Sequence, residues 1–391
     1  MKALCWRGPG ELSVDRVPDP RILNDQDAIV KVTLSATCGS DLDLLGGHGP
    51  AVRPGDVIGH EFLGEVVEVG QGVRRHRPGD RVVVCSVIGC GRCWHCERDM
   101  WSLCENSHPG PGASGDRWGG DTAGMFGYPH AMGGFRGGHA EYVRVPFADQ
   151  GAFRVPDGVA EMDALFASDA APTGWTGAHL GGVRPGDTVA VWGCGAVGQL
   201  AARAAMLLGA ERVIAIDRHP ERLMMTERHI GAETIDYTRS DVPADLRERT
   251  GGRGPDVCVE AVGPEGAATG RPRLPGRIRR RIGPGADHLV AVREAVRACR
   301  TGGSVFVLGV FAGLADRFPL GMIMDKGLTL RGARQHGQHY IPRLLELMGK
   351  GELRAAHLAT HVMTLQEAPR GYELFRTRRD GCVRAVFRPW A

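Results

Sequence analysis

Thr188-Val189-Ala190-Val191-Trp192, followed by Gly193-Cys194-Gly195-Ala196-Val197-Gly198, is the stretch that decides the fold of this chain. The first five residues form a short continuous apolar run, the pattern of a strand buried on both faces of a parallel sheet. The next six carry the spacing G-x-G-x-x-G, and beyond it Val197, Leu200, Ala201, Ala204 and Leu208 share one face of a helix. Glycines so spaced permit a tight turn and close approach of backbone to a pyrophosphate, whose charge the helix N-terminus favours. A second run, Arg212 to Ile216, ends at Asp217, where an acid hydrogen-bonds ribose hydroxyls and repels a 2′-phosphate. Gly193, Gly195, Ala196, Val197, Gly198, Asp217 and Arg218 are therefore the candidate dinucleotide contacts. Asp217 favours NAD over NADP, with the adjacent Arg218 weighing the other way. The plainer alternative is a glycine turn in an unrelated α/β domain.

Working outward, Val257 to Ala261, Ser304 to Leu308 and Leu328 to Leu330 are further apolar runs alternating with helical stretches, which predicts βαβ units and a parallel sheet over 162–333. Residues 1–161 read differently. Ala28 to Leu34, Phe62 to Val69, Arg81 to Cys85 and Ala140 to Val145 are short β-rich runs separated by turns such as Pro54-Gly55-Asp56 and Pro78-Gly79-Asp80, as in a β-barrel-like domain. Residues 334–391 hold a helix pattern around Ile341 to Met348, then β-like runs near His361 to Leu365 and Val383 to Phe387, and are expected to complete the first domain. Two domains also suit a length of 391 residues, more than one core usually serves. Asn106 to Gly138, rich in glycine, and the arginine-bearing Gly263 to Gly285 read as surface loops. Trp118, Phe126 and Tyr128 in the first loop are placed either to line a pocket or to pack the loop onto the barrel.

Cys90, Cys93, Cys96 and Cys104 form C-x2-C-x2-C-x7-C, a spacing that lets one loop wrap four thiolates around a tetrahedral zinc. Such a shell is closed, so its expected role is to pin the loop; His95 is then a spare. Three other pieces are weak alone: Cys38-Gly39-Ser40-Asp41, Gly59-His60-Glu61, and Ser168-Asp169 ahead of Pro172-Thr173-Gly174. A thiolate, an imidazole and a carboxylate can give a zinc three ligands and leave a fourth position open. Singly, His60 reads as a satisfied polar residue and Asp169 as a helix cap.

In this order, and together with the cysteine loop and the glycine turn, the motifs resemble the zinc-containing medium-chain alcohol dehydrogenases over nearly the whole chain. Gly133-Gly134-Phe135-Arg136-Gly137-Gly138-His139-Ala140-Glu141-Tyr142-Val143-Arg144-Val145-Pro146 and Ser168-Asp169 are most similar to the formaldehyde-dehydrogenase-like branch. The resemblance implies a GroES-like β-barrel catalytic domain beside a Rossmann, doubly wound α/β domain. It implies two zinc ions per subunit and NAD. Cys38, His60 and Asp169 match the catalytic zinc ligands, with Asp169 where other branches carry cysteine, and Glu61 matches a nearby or alternative ligand. The implied reaction moves hydride from a zinc-bound alkoxide to nicotinamide, with Ser40 passing the proton toward the cofactor ribose or, more plainly, bonding its own backbone. Many relatives place a histidine five residues after the first zinc cysteine, where Asp43 stands here, so either Asp43 is an exposed loop residue with no role or proton release bypasses it through water or uses a nearby group such as His48. A homo-oligomer, dimer or tetramer, is implied by the same resemblance. The rivals are a zinc-free reductase of the same superfold and a non-catalytic NAD-binding protein.

Composition narrows the partners. A net charge of +3 is too small for a nucleic-acid or membrane-surface protein, which leaves small molecules as partners; the resemblance implies that these are alcohols or aldehydes. The stretch Met1 to Val17 lacks the order of a signal peptide, and four of eleven cysteines crowd into fifteen positions, as expected of metal ligation in the cytoplasm rather than of disulfides.

Overall fold

The computed structural model describes residues 1–46, 52–108, 122–263, 289–311 and 318–391, and these divide into two compact units, Met1–Pro172 with Gln335–Ala391, and Thr173–Arg334. The sequence placed the junctions at 161/162 and 333/334. The first falls later because the 3-10 turn Phe166–Ser168 stays with the barrel: the amide of Ser86 donates to the carbonyl of Ser168 at 2.9 Å. The arginine-bearing segment Gly263 to Gly285 lies, after Gly263, outside the described residues, as do His48 and Trp118. Among the described residues no helix is long and apolar enough to cross a membrane.

The first unit contains the hairpin β1 (Lys2–Gly8) and β2 (Glu11–Arg16) and a seven-stranded sheet. That sheet is built from β3 (Ala28–Ala36), β4 (Glu61–Val69), β5 (Arg81–Val84), β6 (Tyr142–Val145) and β7 (Ala152–Arg154). The chain's last strands, β14 (His361–Thr364) and β15 (Ala385–Arg388), join it. β3 is the pivot. Its first half pairs with β6, its second half with β15, and its other edge runs along β4, all antiparallel. Alternation makes Val30, Val32, Phe62, Val66, Val82 and Val84 one buried cluster. Phe126 enters that cluster against Phe62, with ring centroids 5.2 Å apart, and Met125 and Tyr128 are buried too. This corrects the expected surface loop: the described part after residue 121 is packed against the sheet, because Ala123, Met125, Phe126, Tyr128 and Ala131 are apolar or aromatic and bury their side chains.

The second unit is a six-stranded parallel sheet in the order β10-β9-β8-β11-β12-β13, with β8 (Thr188–Trp192), β9 (Arg212–Asp217), β10 (Glu233–Asp236), β11 (Val257–Glu260), β12 (Ser304–Val307) and β13 (Thr329–Gly332). Strands β8, β9, β11 and β12 have apolar, buried centres with polar residues only at their ends, whereas β10 and β13 are more polar and more exposed and lie at the edges. The chain leaves β8 toward β9 and β10 and returns to β11 on the other side, so a topological switch point lies between β8 and β11. The glycine turn sits there. Gly193 has φ +97°, and the helix Ala196–Leu207 begins at once. A Cβ on Gly198 would lie 1.7 Å from the carbonyl oxygen of Gly193, a clash with backbone that no rotamer relieves. Gly198→Ala should therefore lower stability by at least about 1–3 kcal/mol, the usual range for overpacking; a urea midpoint equal to the parent's would contradict this packing.

Candidate metal centres and dinucleotide loop

Antiparallel register builds the first candidate site. Ala36 on β3 stands opposite Glu61 on β4, Phe62 opposite Val84 on β5, and Val386 on β15 opposite Ala36. Carried one or two residues past the strand ends, these registers bring Cys38, His60, Ser86 and Arg384 to one end of four neighbouring strands. Asp169, just after the 3-10 turn, hooks onto Ser86, whose hydroxyl donates to its Oδ1 at 2.7 Å. One ligand atom each from Cys38, His60, Glu61 and Asp169 then lies within 4.8 Å of the others, and all four residues are buried.

The cluster is underbonded. Asp169 turns Oδ1 toward Ser86 and toward the Gln335 amide, at 2.7 Å each, and leaves Oδ2 3.7 Å from His60 Nε2 and 3.8 Å from Cys38 Sγ. Neither ring nitrogen of His60 has a hydrogen-bond partner among the described residues, nor does Glu61 Oε2. The Arg384 guanidinium is 3.3 Å from Glu61 and 3.7 Å from Cys38 Sγ, and Ser40 Oγ is 3.5 Å from that sulfur. Burial pushes the Cys38 thiol up and Glu61 to about 7, Arg384 opposing both. Burial alone would depress His60, but Asp41 and Cys38 beside it hold its pKa well above the ordinary value. A divalent cation would satisfy the orphaned Nε2 and convert thiol to thiolate, so the donor set of sulfur, imidazole and carboxylate fits zinc.

Behind His60 lies a second buried set. Asp41 Oδ1 is 3.1 Å from His60 Nδ1, while Oδ2 accepts from the Cys38 amide at 2.8 Å and from the Tyr372 hydroxyl at 2.7 Å. Tyr372 Oη is 2.8 Å from His139 Nε2, and His139 Nδ1 is 2.8 Å from Ser35 Oγ.

Cys90, Cys93, Cys96 and Cys104 are equally buried and also meet within 4.8 Å. Three N–H groups aim at their sulfurs: the Asn106 amide and the Arg92 backbone at Cys90, 3.1 and 3.4 Å away, and the Cys90 backbone at Cys104, 3.3 Å away. Burial raises Cys90, and the bond to Cys104 raises Cys96, so thiols this crowded cannot ionise together without a cation. The four fit a closed zinc shell. His95 stays outside it, 3.4 Å from Glu105.

In the second unit the space above Gly195 is open. Among the described residues its added Cβ would meet only Arg222 Nη1, at 3.9 Å, so no described side chain or backbone crowds this approach to the N-terminus of the helix Ala196–Leu207. Asp217 accepts from the amides of Cys194, Arg218 and His219 at 2.7, 2.6 and 3.0 Å. It therefore braces the glycine turn in addition to standing where the sequence wanted a ribose acceptor. Glu260, at the end of β11, plays the same part in the neighbouring loops, accepting from the amides of Val262 and Gly263 after β11 and of Gly309 after β12.

Sequence reasoning missed Ser86, Gln335, Arg384 and Tyr372, which join the site from distant segments and carry no motif, and it quoted His139 inside the stretch Gly133 to Pro146 without a role. It quoted Asp41 without a role, although an acid three residues after the helix-capping Cys38 is the reciprocal half of a capping box. Asp43 is half-buried in the helix Gly39–Leu45.

The comparisons agree with this anatomy. Residues 24–157 match the model of the alcohol dehydrogenase GroES-like domain and residues 196–270 that of the zinc-binding dehydrogenase. An uncharacterized zinc-type alcohol dehydrogenase-like protein of Bacillus subtilis is 37% identical over 100% of both chains. The glutathione-independent formaldehyde dehydrogenase of Pseudomonas aeruginosa is 31% identical over 96% of this chain and 94% of its own. Among solved structures, an alcohol dehydrogenase from Thermus sp. ATN1 superposes with a TM-score of 0.83 at 35% identity, covering 99% of each chain. The chain belongs to the zinc-type alcohol dehydrogenase family.

Burial holds His139 down to about 4, against an ordinary value of 6.5. The unfolded chain takes up a proton on this imidazole below about pH 6.5 that the native state refuses until about pH 4, so stability falls as pH drops through that window, by on the order of 3 kcal/mol. His139→Gln removes that slope. The gap between parent urea midpoints at pH 7 and pH 4.5 should narrow in the variant; an unchanged gap would mean that His139 is not held neutral.

Proposed function

We propose that this chain is a zinc-dependent, NAD-linked dehydrogenase that moves hydride between the carbinol carbon of an alcohol or aldehyde hydrate and nicotinamide. The observation that carries the reading is the underbonded cluster of Cys38, His60 and Asp169, with Glu61 beside it and a proton-carrying hydroxyl, Ser40, at its edge. Zinc, when bound, supplies Lewis acidity toward a substrate oxygen.

The chain's own residues supply the rest. Cys38, His60 and Asp169 hold the ion, and because Ser86 and Gln335 occupy one oxygen of Asp169, that carboxylate offers the ion the other. Three donors leave room for a substrate, which a shell of four thiolates does not. Ser40, able both to donate and to accept, would take the substrate hydroxyl proton while passing its own toward a ribose hydroxyl of the bound cofactor. Glu61 is paired with Arg384 and so stands in reserve as a ligand. Gly193, Gly195 and Gly198 admit the cofactor pyrophosphate.

Purified protein should contain two zinc ions per chain and should reduce NAD in a screen of alcohols and aldehydes. Cys38→Ala should keep the fold and abolish turnover. Cys93→Ala should lose one zinc and lower Tm, since structural zinc binding is linked to folding. A parent with fewer than two zincs while folded, or turnover surviving Cys38→Ala, would sink the reading.

Asp217 is the proposed discriminator between the two nicotinamide cofactors. Asp217→Ala should lower the ratio of kcat/KM for NAD to that for NADP by about tenfold or more, the loss of one charge-assisted hydrogen bond together with a repulsion. An unchanged ratio would assign selectivity elsewhere.

A further inference from the structure

We infer that Tyr372, His139 and Ser35 are positioning residues of the proposed catalytic metal centre: a one-directional chain of hydrogen bonds that fixes Asp41 and, through it, the ring of His60. The inference rests on the catalytic-zinc reading above and adds to it three residues that touch neither metal nor substrate.

The direction of the chain follows from donor inventory. Asp41 Oδ2 already accepts from the Cys38 amide at 2.8 Å and faces the Tyr372 hydroxyl at 2.7 Å, while Oδ1 faces His60 Nδ1 at 3.1 Å, so donors surround this carboxylate. An ionised carboxylate only accepts, so the Tyr372 hydroxyl donates to Oδ2. Its one proton spent, Tyr372 Oη accepts from His139 Nε2–H. His139 is neutral, so its Nδ1 is bare and takes the proton of Ser35. Every link is buried, and neither the Tyr372 hydroxyl nor the His139 tautomer can reverse without leaving two acceptors facing each other. The chain ends where Asp41 Oδ1 meets His60 Nδ1, two atoms with no hydrogen-bond partner among the described residues and only 3.1 Å apart. That contact turns Nε2 toward Cys38 and Asp169. A carboxylate behind a metal-binding imidazole fixes the ring's tautomer and raises its basicity. Here the carboxylate is itself fixed, from two other segments of the unit.

The backbone is shaped to admit the chain. A Cβ on Gly59, the residue before His60, would lie 2.3 Å from the His139 ring, and Gly59 has φ +93°. Glycine at that position is what lets the ligand strand and the relay histidine pack together. On its far side His139 stacks edge-on against Phe387, with ring centroids 5.1 Å apart, which leaves its ring one orientation.

A purely architectural ladder would lower Tm when cut and leave the metal unaffected. The test therefore reads the metal. With zinc or cobalt loaded in the full-length protein, the rate of loss to a chelator and the visible spectrum of the cobalt form are compared for the parent, Tyr372→Phe, His139→Leu and His139→Gln, alongside Tm. Tyr372→Phe and His139→Leu should release the ion of the Cys38 site about tenfold faster and shift its cobalt bands, with release from the four-cysteine site unchanged. His139→Gln, which keeps a donor and an acceptor, should stay near the parent. Parental release and spectra in folded Tyr372→Phe would overturn the inference, whatever happens to Tm. Should Tyr372→Phe not fold, Ser35→Ala, which deletes one oxygen at the far end of the chain, takes its place with the same two outcomes. A parent holding a single zinc would instead overturn the catalytic-zinc reading, so the two failures are told apart.

Discussion

Four ionisable side chains, Cys38, His60, Glu61 and Asp169, are buried together with fewer hydrogen bonds than they can make, and the first unit is organised around that constraint. Placing such groups out of water is costly unless opposite charge is brought to them. Arg384 supplies part of it, from the strand that pairs with the one ending at Cys38. The remainder calls for a cation. The same four strands that make the barrel rigid also set how far apart the donors stand, so metal geometry is a property of sheet register rather than of loop conformation.

The two candidate metal centres differ in how they are assembled. The four-cysteine site is local: fifteen consecutive positions contain every ligand, and the loop's own amides point at the sulfurs. The Cys38 site gathers residues from both ends of the first unit, with Gln335, Tyr372 and Arg384 contributed only after the chain has returned from the second unit. It exists in full only when the last strand has paired. A closed local shell suits a role in pinning the loop, and a site spread over the whole unit suits one whose donors must be held against a changing ligand.

In the second unit, acids do work that the glycines cannot. Asp217 accepts a backbone amide of the turn after β8 and Glu260 accepts those of the loops after β11 and β12, so each loop is held by a carboxylate while Gly193 and Gly198 remove the side chains that would block the turn. The double duty of Asp217 means that its position is set before any ribose arrives, which is the preorganisation that selective recognition requires.

The sequence alone determined what is local. The turn Gly193 to Gly198, the cysteine spacing and the strand periods each follow from a few adjacent residues, because φ preference, ligand reach and side-chain alternation are short-range effects. It also supplied Cys38, His60 and Asp169 as candidates, although only in combination, since a single histidine or aspartate carries no signal of its surroundings. Tertiary structure alone decided the rest: that Phe126 and Tyr128 are packed inward rather than spread over the surface, that one oxygen of Asp169 is engaged by Ser86 and Gln335, and that Arg384 and the Tyr372 chain stand behind the site. These depend on which strands pair and in what register, and register is fixed by the burial of whole faces across hundreds of residues, which no local pattern records.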